Sequence, residues 1–266
     1  MCGNKTTKTM KKILFAVLAV AALLSSCSGK KTYTSAEDAA YLDSMMVIIR
    51  HMDNPKEQDA TYLKIMKEVY ERHMNDTLGL QCFTNLAYEW DGETLSAALA
   101  KASDLIKNDT RVQRIAEAKF AEAATAAGTQ YIDIEGSNAT TGEATKLSDI
   151  VAQGKPVIVD FWASWCGPCR REINEYLSKY AEQYKEQVNF VGIAVWEDSV
   201  EDTQKAMGEL PISWPVIFAG GRENSPTEKY GIMGIPHIML VGADGTILGR
   251  NLRGEDIAAA IEKALN

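Results

Sequence analysis

The chain has 266 residues, 46% of them hydrophobic, and a net charge of −8. That apolar share is ample for packed cores, and the length suits two folding units behind a leader. Residues 1–26 carry four lysines and no acids; removing those four charges from −8 leaves about −12, a surface that repels phosphate backbones and excludes nucleic acid as a partner.

Lys11 and Lys12 precede an apolar run from Ile13 to Leu24, followed by Ser25-Ser26-Cys27. A dozen or so apolar residues are too few to span a bilayer but fit a signal-peptide core. Leu24-Ser25-Ser26-Cys27 resembles a bacterial lipobox, which implies cleavage before Cys27 and lipidation of that cysteine. The alternative is an ordinary secretory signal with an incidental cysteine. Met10-Lys11-Lys12 is a more natural leader start than Met1, which leaves Cys2 without a role. The expectation is a signal peptide over 1–26, a tether over 27–34, and a lipid-anchored protein of the bacterial cell envelope facing the periplasm. Disulfides persist in that compartment.

Residues 35–127 read as an all-α domain of four or five short helices. Ser35-Ala36-Glu37-Asp38 has the pattern of a capping box, and Asn54-Pro55 places a cap and a first-turn proline before a second helix. Tyr62, Ile65, Met66, Val69 and Tyr70 recur at helical spacing on one face. Cys82, among apolar neighbours, reads as a small core residue. His51 and His73 near helix ends read as solvated or facing a helix dipole. Met45, Met46 and Met66 fill gaps in the core.

Residues 128–266 alternate between strand and helix patterns. An introductory hairpin is predicted from Tyr131–Ile134 and the segment around Leu147. Gly154-Lys155-Pro156 leads into a buried strand at 157–162, followed by a helix with Ile173, Tyr176, Leu177, Tyr180 and Tyr184 on one face. Further elements are a strand at 188–195, a helix at 200–210 and a strand at 214–218. A hairpin pairs 235–241 with 246–250 across Ala243-Asp244-Gly245, and a helix at 255–265 closes the chain. The expected fold class is α/β, a mixed central sheet flanked by helices.

Between the strand at 157–162 and the helix after it stands Trp165-Cys166-Gly167-Pro168-Cys169. Two thiols separated by two residues at a helix start form a dithiol that can close into a disulfide and reopen. The helix aims its free N–H groups at Cys166, and that partial positive charge stabilises a thiolate, the attacking form in exchange. A CxxC is also half of a zinc site. Zinc needs four ligands, and Cys2, Cys27, Cys82, His51, His73 and His237 make no second paired-ligand motif. The intervening proline and the strand-to-helix setting favour redox chemistry with no metal and no cofactor.

Asp160-Phe161-Trp162-Ala163-Ser164-Trp165-Cys166-Gly167-Pro168-Cys169 resembles the active-site segment of thioredoxin. Tyr230-Gly231-Ile232-Met233-Gly234-Ile235-Pro236-His237 resembles the segment around its cis-proline. The likeness covers residues 129–266. Cys166 and Pro236 lie 70 positions apart, an excess over thioredoxin of about one strand-plus-helix unit. That insertion, the introductory hairpin and the lipoprotein signal are similar to the TlpA/ResA group of membrane-anchored thioredoxin-like proteins.

The resemblance implies a thioredoxin-like fold and a division of labour. Cys166, the more exposed thiol, attacks a substrate disulfide, and Cys169 resolves the mixed disulfide. Gly167 lets the chain turn and Pro168 stiffens the first turn. Asp160 matches thioredoxin's buried aspartate and serves as proton acceptor; its wholly apolar neighbours argue against an exposed strand acid. Glu172 matches the active-site glutamate of ResA-like proteins, with a solvated helix glutamate as the bland alternative. Pro236 is predicted cis, the Ile235 backbone pairs with substrate, and Trp165 shapes the docking surface. His237 is equally a modulator of the thiols or a core residue.

Gly-Pro between the cysteines points to a reducing poise. The expected activity is a thiol-disulfide oxidoreductase of the protein-disulfide reductase type, acting on disulfide-bearing envelope proteins such as apocytochrome c and recharged by a membrane thiol electron donor. Isomerase activity, which would need the helical half to dimerise, is the close alternative. A partner-binding protein with a thioredoxin-like scaffold or switch is the other.

Overall fold

The computed structural model describes residues 33–223 and 225–266. The leader, Cys27 and the tether up to residue 32 lie outside the described residues. No helix among the described residues is long and apolar enough to cross a membrane.

Among the described residues six helices precede the sheet: α1 (Ser35–Arg50), α2 (Pro55–Arg72), α3 (Thr77–Glu89), α4 (Gly92–Lys101), α5 (Asp104–Lys107) and α6 (Thr110–Ala124). Five carry side-chain caps that satisfy otherwise unpaired N–H groups. The capping box of α1 sits one residue earlier than the sequence pattern suggests. Thr34 is the cap, its hydroxyl accepting from the Glu37 N–H at 3.2 Å while Glu37 accepts from the Thr34 N–H at 2.9 Å. Asn54 caps α2 with Pro55 at its first turn, and Ile65, Met66, Val69 and Tyr70 form its buried stripe.

The chain divides into two compact units between His73 and Met74. In the first, α1 packs on α2, and Asp38, 2% exposed, is its polar centre. Arg72 donates to both Asp38 oxygens at 2.7 and 3.0 Å, and the His73 Nε2 lies 3.0 Å from Oδ2. His73 is therefore a buried partner of a carboxylate, not a solvated helix end.

In the second unit, α3 to α6 join the sheet because α6 packs on α11 (Pro226–Lys229) and its C-terminal end is tied to the strands. The Thr125 hydroxyl donates to the Tyr230 carbonyl at 3.3 Å, and Arg250 donates to the carbonyls of Thr125 at 2.8 Å and Tyr230 at 2.6 Å. Cys82 and Phe83 on α3 are fully buried, in accord with a core role for the cysteine.

Seven strands form one mixed sheet in the order β2-β1-β5-β4-β3-β6-β7. They are β1 (Glu135–Asn138), β2 (Ala144–Lys146), β3 (Val157–Trp162), β4 (Asn189–Ala194), β5 (Val216–Phe218), β6 (His237–Val241) and β7 (Ile247–Leu252). β3 runs parallel to β4 and antiparallel to β6, and β4 runs parallel to β5. A short helix, α7 (Ser148–Val151), precedes β3, and the region read from the Cys166–Pro236 spacing as holding an extra strand-plus-helix unit carries β4, α10 (Val200–Glu209) and β5.

The introductory hairpin is β1–β2, shifted from the apolar segment 131–134. Hydrogen-bonding capacity explains the shift. The Ile132 N–H donates to the Tyr230 hydroxyl at 2.9 Å, and that hydroxyl donates to the Ile132 carbonyl at 2.5 Å. The Tyr131 N–H goes to the Gly245 carbonyl at 3.0 Å, so these groups are spent outside a ladder, while the Ile134 carbonyl still accepts from the Leu147 N–H at 2.9 Å and joins the two segments once.

Every residue of β3 is buried because both faces of the sheet are covered. Ile158 and Trp162 face one layer with Ile173, Leu177, Ile238 and Ile257. Val157, Val159 and Phe161 face the other with Leu147, Ile193, Tyr230 and Met239. At Gly192 a Cβ would lie 2.9 Å from the Trp162 Nε1, so β4 needs glycine where the tryptophan crosses it. Truncating a filler such as Leu177, fully buried, to alanine costs ~2–5 kcal/mol.

Candidate active site

The strand β3 ends at Trp162 and delivers the chain to a turn, Ala163–Cys166, from which α8 (Gly167–Glu172) starts. The helix continues through a π turn (Ile173–Leu177) into α9 (Ser178–Gln183). Cys166 is the N-cap of α8, with extended backbone (φ −78°, ψ 97°), and its sulfur accepts from the Cys169 N–H at 3.2 Å. Pro168 in the first turn fits because that position needs no N–H. Cys166 and Cys169 are joined in a disulfide with 5.3 Å between their Cα atoms, inside the usual span for a bridge.

Both cysteines are buried, 3% exposed for Cys166 and 1% for Cys169. Cys166, expected to be the more exposed thiol, is thus itself buried in the bridged form. What is exposed is the rim: Trp165 at 53%, with Gly167 and Pro168 beside it.

Trp165 is held at both ends. Its indole N–H donates to the Trp196 carbonyl at 3.1 Å, and the Arg222 guanidinium lies 5.7 Å from its ring centroid. Trp196 takes a positive φ of 57° to present that carbonyl, a conformation bulky residues rarely adopt. Beneath the turn, Glu197 accepts from the Ser164 N–H at 2.5 Å and from its hydroxyl at 2.7 Å. Sequence reasoning passed over Trp196 and Glu197; nothing in their local pattern marks them.

Asp160 pairs with Gly192 and Ile238 in the middle of the sheet. Alternation along β3 places its side chain on the face shared with Ile158, Trp162 and the cysteines. It is 2% exposed, and neither carboxyl oxygen has a hydrogen-bond partner among the described residues. Burial pushes its pKa up to about 8, against the pull of Arg253 and with a smaller push from Glu172.

Glu172 is half-buried at the end of α8, and its Oε1 accepts from the Gly254 N–H at 2.5 Å. This carboxylate is a built-in bridge to the start of α12 (Glu255–Leu265), not a solvated helix acid. Gly254 has a φ of 53°, which turns its N–H toward Glu172 at little cost for a glycine.

The Ile235–Pro236 peptide bond is cis, Pro236 is buried and Ile235 half-buried. The Pro236 carbonyl accepts from the Arg253 guanidinium. His237 pairs across the sheet with Phe161, their rings 6.1 Å apart and edge to face. Phe161 belongs to the layer away from the cysteines, so His237 is a core residue on the opposite face. Burial, aided by Arg250 and Arg253, pulls its pKa down to about 3.

A model of the Redoxin family matches residues 121–265. The chain belongs to the redoxin family. Among curated relatives, this redoxin is 32% identical over 153 residues to the thiol:disulfide interchange protein CycY of Rhizobium leguminosarum bv. viciae, covering 55% of this chain and 80% of that one. It is 28% identical over 109 residues to the thiol-disulfide oxidoreductase ResA of Bacillus subtilis (strain 168), covering 41% of this chain and 58% of that one. The solved thioredoxin domain of a thiol-disulfide oxidoreductase from Bacteroides vulgatus aligns with a TM-score of 0.47 at 32% identity, over 53% of this chain and 99% of that one. The redoxin is a thiol-disulfide oxidoreductase with a thioredoxin-like fold. Among its described residues no group of three or more His, Cys, Asp or Glu could hold a metal ion.

Proposed function

We propose that the protein reduces disulfides of envelope proteins, with Cys166 as nucleophile and Cys169 as resolving thiol. The observation that carries this reading is the position of Cys166 as the helix cap, its sulfur receiving the Cys169 N–H at 3.2 Å. A thiolate there has the helix N-terminus and a backbone donor to stabilise it.

In the reduced enzyme, the Cys166 thiolate attacks one sulfur of a substrate disulfide. A mixed disulfide forms and the first substrate thiolate leaves. Cys169 passes its proton to ionised Asp160 and attacks the Cys166 sulfur. The Cys166–Cys169 bond forms, the mixed disulfide breaks and the second substrate thiolate leaves. Two electrons have moved from the enzyme dithiol to the substrate, and both substrate thiolates take protons from solvent or from Asp160. A membrane thiol donor of the envelope returns two electrons to the bridge.

Buried Asp160, with its pKa about 8, suits the acceptor role because it exchanges a proton close to neutrality. Glu172, tied to Gly254, adjusts that acceptor. The Ile235 backbone beside Pro236 pairs with an extended substrate segment, and Trp165, Gly167 and Pro168 form the apolar rim it crosses. Gly-Pro between the cysteines supports the reducing direction, closer to thioredoxin's roughly −270 mV than to the roughly −120 mV of a strong oxidant. The lipobox at Cys27 supports anchoring at a periplasmic membrane surface, and apocytochrome c thiols are candidate substrates. The helices of 35–127 are proposed as the accessory part of the molecule.

Insulin-disulfide reduction by the wild type and by Cys166→Ser tests the reading. The serine variant should lose activity; equal rates would overturn it. Cys169→Ser should accumulate mixed disulfides with envelope proteins, which identifies the substrates.

A further inference from the structure

Arg253 lies between β7 and α12, and no sequence motif marks it. Its guanidinium donates to the carbonyl of cis-Pro236 and to the Leu252 carbonyl, the latter at 2.7 Å. The next residue, Gly254, donates its N–H to Glu172 at 2.5 Å. One short segment thus grips the proline loop and the acid of the cysteine helix. Asp160, which pairs with Ile238 two positions after that proline, is buried and without a hydrogen-bond partner among the described residues.

The charges that act on Asp160 come from two directions. Glu172 reaches it from α8, and Arg253 from the segment before α12. Cys166 and Cys169 share its face of the sheet, while His237 lies on the other. Arg253 is the only cation in this set. Among the described residues it makes no salt bridge to either acid, and its charge acts through space on both.

We propose that Arg253 is a positioning residue of the thiol chemistry. Anchored on the Pro236 carbonyl, it holds a fixed positive charge over the Asp160–Glu172 pair and so joins the substrate-docking loop to the proton acceptor. This rests on the reading of Asp160 as acceptor for Cys169.

Two features of the geometry suit this role. An arginine cannot give up its proton at working pH, so the charge does not vary during turnover. The carbonyl and the neighbouring Glu172–Gly254 bond set where that charge sits. A carboxyl buried with a like charge and no cation would ionise only in alkaline solution. With Arg253 in place, its proton exchange stays close to neutral pH.

The test is the pH dependence of single-turnover oxidation of the reduced, full-length protein by insulin, followed by tryptophan fluorescence. Arg253→Met should move the midpoint to higher pH by about one unit. Arg253→Lys, which keeps the charge, should leave the midpoint near wild type while raising the insulin concentration that gives half the maximal rate, because the grip on the Pro236 carbonyl is weakened. Glu172→Gln should move it to lower pH, and the Arg253→Met/Glu172→Gln pair should return toward wild type. Equal slowing in the Met and Lys variants with unmoved midpoints would overturn the proposal and leave Arg253 a structural residue. Asp160→Asn separates the two readings. If it abolishes the midpoint while Arg253→Met does not shift it, only the role of Arg253 falls. If the Asn variant keeps the wild-type profile, the acceptor reading falls.

Discussion

Glu197 grips Ser164 twice, through the backbone N–H at 2.5 Å and the hydroxyl at 2.7 Å. Glu197 is 3% exposed and follows directly after Trp196, whose carbonyl receives the Trp165 indole at 3.1 Å. Two consecutive residues after β4 therefore hold the turn that carries Cys166.

Removing that clamp should be costly. Glu197→Ala leaves two donors of Ser164 without their acceptor, and hydrogen bonds to a charged group are worth more than neutral ones. The expected loss is about 2–4 kcal/mol in denaturant unfolding, with Glu197→Gln losing less. An alanine variant as stable as wild type would contradict the clamp.

Asp160 should make stability fall as pH rises. Its folded pKa of about 8 exceeds the ordinary value of 3.8, so the folded state binds the proton more tightly. The favourable contribution is full below about pH 4 and is lost progressively up to about pH 8. Asp160→Asn should be more stable than wild type at pH 7, by up to about 4 kcal/mol, yet slower in disulfide reduction. Parallel pH–stability curves for the two proteins would rule this out.

His237 should act at the other end of the scale. Its folded pKa of about 3 lies below the ordinary 6.5, so the unfolded chain takes the proton first. Its contribution is full above about pH 6.5 and is lost as pH falls toward about 3. His237→Phe should therefore keep roughly 2–3 kcal/mol more of its neutral-pH stability at pH 4, as read from urea midpoints. Because His237 faces away from the cysteines, thiol alkylation rates should hardly change.

In the first compact unit, Asp38 is the shared partner of Arg72 and His73. Asp38→Ala should cost about 3–5 kcal/mol, because breaking a buried pair strands its other half. Thermal unfolding of the variant checks this, and a shift of only a degree or two would show the cluster to be incidental.

The site was legible where its geometry is local. Cys166, Gly167, Pro168 and Cys169 span one strand-to-helix turn, so spacing alone places two sulfurs at one helix end. Asp160 was legible because a lone acid in an apolar strand stands out. The hairpin at 131–134 was misplaced because the hydroxyl of Tyr230, about a hundred residues away in sequence, takes its backbone bonds. Nothing in the sequence marks the divide at His73, because helices continue on both sides of it up to Ala124. What assigns α3 to α6 to the sheet is packing of α6 on α11 and the Arg250 contacts.

The amino-acid order by itself determined the dithiol, the proline loop and the alternation of strands and helices, since each depends on neighbours a few positions apart. Only the tertiary structure decided which face His237 takes, which carboxylate clamps Ser164 and which cation grips the Pro236 carbonyl. Those outcomes turn on burial and on charges from distant segments, and neither quantity exists until the chain has closed around them.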